Sequence, residues 1–227
     1  MNVDYQQIEL EKIISMSQQP KRILILAPHT DDGEFGCGAT IAKLVEEGNS
    51  IYYAAFSTCE KSLPPELRPD TLKLELLQAT KTLGIPQSNV IFYDYPVRDF
   101  PMFRQAILEN MVQLSKEIDP DLVFMPSIQD IHQDHHTVAS EAMRAFKKTS
   151  LLGYELPWNN YSFRNQVFVQ LEQRHVDLKI DATKCYESQK GRDYLNEDYL
   201  KGIVRSHGVQ IGVRFAEVFE TDRFIIR

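Results

Sequence analysis

The chain has 227 residues, 43% of them hydrophobic and 25% charged, with a formal net charge of −7. That is enough chain for one sizeable core, so a single domain over 1–227 is expected, and the interspersed acidic balance argues against a nucleic-acid partner, which needs a basic patch. No apolar run reaches the roughly 18 residues of a membrane span, and the polar opening 1–20 lacks a signal-peptide core, so a cytoplasmic protein is expected. An anionic small substrate stays open, because a few local arginines suffice to bind one. Cys37, Cys59 and Cys185 are widely spaced and odd in number, which fits free thiols rather than a disulfide framework or a CxxC site.

In chain order, 4–17 reads as a short amphipathic helix. The unbroken apolar run 23–27 reads as a strand buried on both faces. Residues 38–47 follow as a helix, with Ile41, Leu44 and Val45 at helical spacing and Gly48 as its stop. A second strand is expected at 51–56 and a helix at 70–84, with Leu72, Leu76, Ala79 and Leu83 on one stripe. The alternation repeats: strand 90–93, helix 101–118, strand 122–125 and helix 136–147. Beyond Gly153 it gives way to shorter strand-like runs such as 166–171 and one helix near 183–204. The order predicts an α/β, Rossmann-like fold: a mostly parallel sheet, helices on both faces, and a C-terminal strand and helix elaboration.

In such sheets ligands bind beyond the carboxyl ends of the strands. Two segments rich in ligand-type side chains fall there: Ala27-Pro28-His29-Thr30-Asp31-Asp32 after the first strand, and Asp130 to His136 after the fourth. Zinc takes imidazole nitrogen and carboxylate oxygen, and catalytic sites commonly use three protein ligands. His29 and Asp32, three apart across a turn into a helix, can converge on one ion, and His135 completes the set. Asp31 is then the natural general base. His132 is placed to stabilise an oxyanion or protonate a leaving amine, with either Asp134 or Asp130 holding its imidazole. A lone Asp-Asp after a strand is more often a turn or cap. Of the six histidines, however, three fall within 132–136 and a fourth sits at the matching position after the first strand, which favours a metal site. His136 is expected to face outward. The glycines Gly33, Gly36 and Gly38 miss the GxGxxG spacing, and no GxxxxGK[ST] or GxSxG motif occurs; tight turning and close packing explain them instead.

Pro28-His29-Thr30-Asp31-Asp32 with Gly36-Cys37-Gly38, and His132-Gln133-Asp134-His135, resemble the two signatures of the PIG-L, or LmbE-like, deacetylases. The resemblance extends through Arg98 and Pro126-Ser127 to Ala216-Glu217-x-Phe219. It implies a zinc-dependent hydrolase (another divalent metal being possible) that removes acetyl groups from N-acetylglucosamine-type sugars or their conjugates. Carried over, His29, Asp32 and His135 bind the metal, Asp31 is the base and His132 the oxyanion stabiliser. Thr30 departs from the usual proline and Gly33 from a common glutamate, and neither departure removes a ligand. Asp130 stands where some members have a tyrosine, which points to an Asp130–His132 pairing. A homo-oligomer is a family habit.

Arg98, on the loop after the third strand, is the candidate for gripping a sugar hydroxyl or phosphate, the alternative being a surface ion pair with Asp99 or a neighbour. Trp158 in Pro157-Trp158-Asn159-Asn160 is either a stacking surface for a sugar or a packing residue. The competing functions are a metal-dependent phosphoesterase and a non-catalytic sugar-binding protein of the same fold.

Overall fold

The computed structural model describes residues 20–226, so the helix expected at 4–17 lies outside the described residues. Seven strands form one sheet: β1 (Arg22–Ala27), β2 (Ser50–Ala55), β3 (Val90–Phe92), β4 (Leu122–Pro126), β5 (Ser150–Tyr154), β6 (Val167–Leu171) and β7 (Phe215–Arg223). Their order is β3-β2-β1-β4-β5-β7-β6. The first five are parallel, and β7 runs antiparallel to both β5 and β6.

β1 lies inside the sheet, between β2 and the central strand β4, and its alternate residues feed opposite layers, as strand geometry requires. Ile23, Ile25 and Ala27 pack with α1 (Asp32–Glu46), α2 (Thr71–Thr82), α5 (Gln173–Thr183) and α6 (Glu197–Gln210). Leu24 and Leu26 pack on the other face with α3 (Phe100–Ile118) and α4 (Gln133–Ala145). The chain leaves β1 toward β2 and later crosses back to β4 on β1's other side. The crevice between the carboxyl ends of β1 and β4 is therefore a topological switch point, where open α/β sheets bind ligands. The expected Rossmann-like architecture is present, and no helix among the described residues is long and apolar enough to cross a membrane.

Two element boundaries differ from expectation in ways that shape the site. The first helix begins at Asp32, not near 38, and contains a break at Cys37 (φ −145°, ψ 21°). The break frees backbone groups in mid-helix, and a buried ion pair takes them up. Lys179 Nζ donates to the Phe35 carbonyl at 2.6 Å, and Glu217 accepts from the amides of Ala39 (3.2 Å) and Thr40 (2.6 Å). Lys179 and Glu217 are themselves 2.6 Å apart. The single helix expected near 183–204 is two, α5 and α6, joined by 3-10 turns at Glu187–Gln189 and Asp193–Leu195. Gly191 at φ +96° breaks the helical path, and Asn196 starts α6 by accepting the Tyr199 amide at 3.0 Å.

Candidate metal centre and active site

The turn after β1 folds over Asp32, whose Oδ2 accepts the His29 amide at 2.8 Å. This places the His29 ring against the N-terminus of α4, which carries the second cluster. His29 Nδ1, Asp32 Oδ2 and His135 Nε2 form a tight triangle with sides of 3.2, 3.3 and 3.1 Å. A tetrahedral zinc with bonds of about 2.0–2.1 Å has ligand–ligand edges of about 3.3–3.4 Å. The observed face is close to that size, so the donor set fits such an ion.

The far sides of the two imidazoles strengthen the match. Asp134 Oδ2 accepts from His29 Nε2 at 3.0 Å, and Asp130 Oδ2 accepts from His135 Nδ1 at 2.7 Å. With those nitrogens protonated, His29 Nδ1 and His135 Nε2 present lone pairs to the same point. Asp134 is wholly buried and Asp130 nearly so. Burial alone would lower the His135 pKa, but the Asp32 and Asp130 carboxylates outweigh it and hold the ring up at about 10. Burial likewise opposes ionisation of Asp32, and the facing His135 and His29 overcome it, keeping that carboxyl well below the usual range. A cation at the centre of the triangle would replace that proton.

His132 lies beside the triangle, its ring stacked on His135 at 4.5 Å and edge-on to His29 at 4.9 Å. Its ring nitrogens are close enough to those of His29 and His135 for the three to hold a metal together. Its Nδ1, however, accepts the Asp134 amide at 3.2 Å and caps α4. The neutral ring therefore carries its proton on Nε2, as a donor. The carboxylate support expected for this imidazole is not there. Asp130 touches His132 only through the backbone, accepting its amide at 2.8 Å, and Asp134 turns its carboxylate to His29. Each acid backs a different histidine because β1 and β4 are sheet neighbours, which brings the first motif under the second.

Asp31 lines the pocket, partly exposed, with no side-chain partner. Burial and the adjacent Asp32 push its carboxyl up to about 6, against the pull of His29 and Arg192. Beneath it, the Thr30 carbonyl lies within hydrogen-bond reach of the buried Tyr53 and Tyr186 hydroxyls, at 3.0 and 2.8 Å. Both hydroxyls also face Glu34, whose carboxyl burial pushes up to about 8. Gly33 and Gly36 allow the turn to seat: a Cβ on Gly33 would lie 2.6 Å from the Tyr53 ring, and one on Gly36 would overlap the Tyr154 ring.

These groups open on a pocket of about 300 Å³. Arg98 lines it from a left-handed backbone conformation (φ 72°). The Arg98 amide donates to Asp134 Oδ2 at 2.6 Å, and the Phe100 amide donates to Asp134 Oδ1 at 3.2 Å. Among the described residues Arg98 forms no ion pair with Asp99 or a neighbouring carboxylate; Asp99 pairs with Lys61 at 3.3 Å. Trp158 is half-buried in the wall, stacked on Tyr194 at 4.5 Å and edge-on to Phe35. His136 is exposed, as expected. Sequence reasoning missed Gln189, Arg192 and Tyr194, which complete the far wall. They lie in the segment between α5 and α6 that carries no motif and was expected to be helical.

The model of the family described as PIG-L: GlcNAc-PI de-N-acetylase matches residues 24–146. An uncharacterized deacetylase of Escherichia coli K12, YaiS, is 30% identical over 182 residues, covering 78% of this chain and 96% of its own. Diacetylchitobiose deacetylase of Thermococcus kodakarensis is 26% identical over 221 residues, covering 87% and 81%. Among solved structures, N,N'-diacetylchitobiose deacetylase from Pyrococcus horikoshii superposes with a TM-score of 0.75 at 21% identity, covering 96% of this chain and 93% of its own. GalB, the 4-carboxy-2-hydroxymuconate hydratase of Pseudomonas putida, does so equally well at 20% identity, covering 91% and 98%. A hydratase on this fold shows that the fold alone does not set the chemistry, which must be argued from the side chains. The two matched motifs, the matched span and the relative sharing 30% identity place this chain in the PIG-L, GlcNAc-PI de-N-acetylase, family.

Proposed function

We propose that the chain works as a single catalytic unit, a zinc-dependent N-deacetylase that hydrolyses the acetamide of a small N-acetylglucosamine-type sugar or sugar conjugate. The observation that carries this reading is the His29–Asp32–His135 triangle, with a buried carboxylate behind each imidazole and an unpartnered Asp31 beside it. When bound, a divalent cation there supplies a Lewis acid that acidifies water and polarises a carbonyl.

The side chains divide the remaining work. Asp31 takes a proton from the attacking water as its oxygen bonds to the acetyl carbon. His132 Nε2–H donates to the carbonyl oxygen as negative charge develops there. The C–N bond then breaks, and Asp31 returns the proton to the departing amine, leaving acetate and a free amino sugar. Asp130 and Asp134 hold His135 and His29 in the tautomers that face the metal, and Asp134 also fixes the loop that carries Arg98. Deacetylase relatives acting on acetylated chitobiose support the substrate class.

A phosphoesterase with two metals needs ions about 3.5–4 Å apart and a second ligand set, and one cluster of this kind occurs among the described residues. The test is acetate release from a panel of N-acetyl sugars by protein stripped with a chelator and reloaded with zinc. Release restored by zinc supports the proposal; no release from any N-acetyl sugar at one zinc per chain defeats it.

A further inference from the structure

Besides the histidines, the ionisable side chains lining the pocket include Asp31, Asp32, Arg98 and Arg192. The arginines come from different parts of the chain, Arg98 from the loop after β3 and Arg192 from the segment between α5 and α6. Neither guanidinium is in an ion pair with a carboxylate among the described residues; Arg205 and Arg223 also lack one, but they are spent on backbone carbonyls away from the pocket. Arg192 instead donates to the Tyr194 hydroxyl at 2.5 Å and lies 5.7 Å from that ring's centroid. Arg98 is held in a left-handed backbone conformation that a bulky residue rarely adopts. Its anchor is the same buried Asp134 that orients His29, so its position is tied to the reacting centre.

Charge count alone does not set this pair apart, because Asp31, Asp32 and the Asp130 and Asp134 carboxylates behind the imidazoles answer a divalent cation and both arginines together. What sets it apart is position: both guanidiniums belong to exposed residues at the pocket and neither is within ion-pair distance of a carboxylate among the described residues, so each is open to an anionic group on a ligand. Planar guanidiniums bind phosphate and carboxylate in forked, charge-assisted pairs. Phe35, Trp158 and Tyr194 stand edge-on and stacked beside them, an apolar wall for the face of a sugar ring.

We propose that this pocket selects an anionic N-acetyl sugar, one bearing a phosphate or carboxylate gripped by Arg98 and Arg192, with its ring against the Trp158–Tyr194 wall. The proposal takes the reaction from the deacetylase reading but can be tested apart from it.

Trp158 is the sole tryptophan of the chain and stands in the pocket wall, so its fluorescence reports occupancy without turnover. Zinc-loaded protein is titrated by stopped flow, on a time scale shorter than turnover, with N-acetylglucosamine, N-acetylglucosamine 1-phosphate and N-acetylmuramic acid, the last two separating phosphate from carboxylate. At least one anionic sugar should bind about tenfold or more tighter than the neutral one, with the preference shrinking as salt is raised. Arg192→Met and Arg98→Met, both at exposed side chains and checked for unchanged Tm, should each cut the preference about fivefold or more. Equal binding of neutral and anionic sugars, or a preference untouched by both substitutions, overturns the proposal. Acetate release by zinc-loaded protein is followed in parallel. An anion preference without release from any sugar would remove the deacetylase reading and keep the subsite. Equal kcat/KM for neutral and anionic sugars would do the reverse.

Discussion

Asp134 Oδ2 sits 3.0 Å from His29 Nε2, a residue 105 positions earlier in the chain. The same oxygen accepts the Arg98 amide at 2.6 Å. One wholly buried carboxylate thus orients an imidazole of the triangle and the loop that presents a pocket arginine. Carboxylates behind metal-bound histidines typically contribute 10- to 100-fold in metal affinity or activity. Asp134→Asn should therefore weaken zinc binding by about that factor, measured by competition with a chromogenic chelator. At saturating zinc it should still raise KM, because the Arg98 loop loses its anchor. Wild-type zinc affinity in the variant would show that Asp134 does not set the His29 tautomer.

Asp31 is the acid of the first motif outside the triangle, with no side-chain partner among the described residues. Asp31→Asn keeps the shape and removes the proposed base. The expected outcome is a kcat about 10²- to 10⁴-fold lower at an unchanged one zinc per chain by metal analysis. Full turnover in this variant would transfer the base role elsewhere.

His132 separates two descriptions of the metal centre, one in which it completes a three-histidine set and one in which it stands beside the His29–Asp32–His135 face. Its Nδ1 is engaged by the Asp134 amide, which leaves Nε2–H as a donor. His132→Gln should then retain zinc while lowering kcat by about 10²–10³-fold, the range for losing one oxyanion donor. Loss of zinc together with activity would make His132 a ligand.

The convergence of His29, Asp32 and His135 was legible because each motif is contiguous and follows a strand. Apolar runs marked β1 and β4, and in a parallel α/β sheet that is enough to send His29, Asp32 and His135 to one edge. The partners of Asp130 and Asp134 were not legible. Nearness in sequence suggested His132, but the adjacency of β1 and β4 passed Asp134 to His29, while one turn of α4 gave Asp130 to His135. The far wall was hidden for another reason. Gln189, Arg192 and Tyr194 lie in and beside 3-10 turns, which have no apolar period to read, and the buried Lys179 disguises the inward face of α5 as polar. The break in α1 at Cys37 was equally silent, since its caps, Lys179 and Glu217, are far away in sequence.

Gly36 tests how tightly the first motif is seated. A Cβ there would overlap the ring of Tyr154, which is fully buried and donates to the Leu26 carbonyl at 3.0 Å. The ring cannot move aside without losing that bond. Gly36→Ala should cost about 1–3 kcal/mol, the usual range for overpacking, at roughly 2–4 °C of Tm per kcal/mol for a chain of this size. An unchanged melting curve would mean that the turn has slack.

Asp222, outside the His29–Asp32–His135 triangle, gives a pH dependence of its own. Its Oδ2 is buried without a hydrogen-bond partner, and burial, then the nearby Glu220, push the carboxyl up to about 6 against the pull of Arg223. A folded pKa above the unfolded one means that the native state holds the proton longer. The stability this contributes is complete below about pH 4 and is lost as pH rises through about 6. Asp222→Asn removes the ionisable group, so the variant should gain on the wild type as pH rises from 5 to 8. Because the residue is partly exposed, solvent screening reduces the effect to roughly 1 kcal/mol. Urea unfolding of both proteins at pH 5, 6.5 and 8 measures it. A stability difference that stays constant across the three would show that Asp222 ionises with an ordinary pKa, and that water reaches the carboxylate.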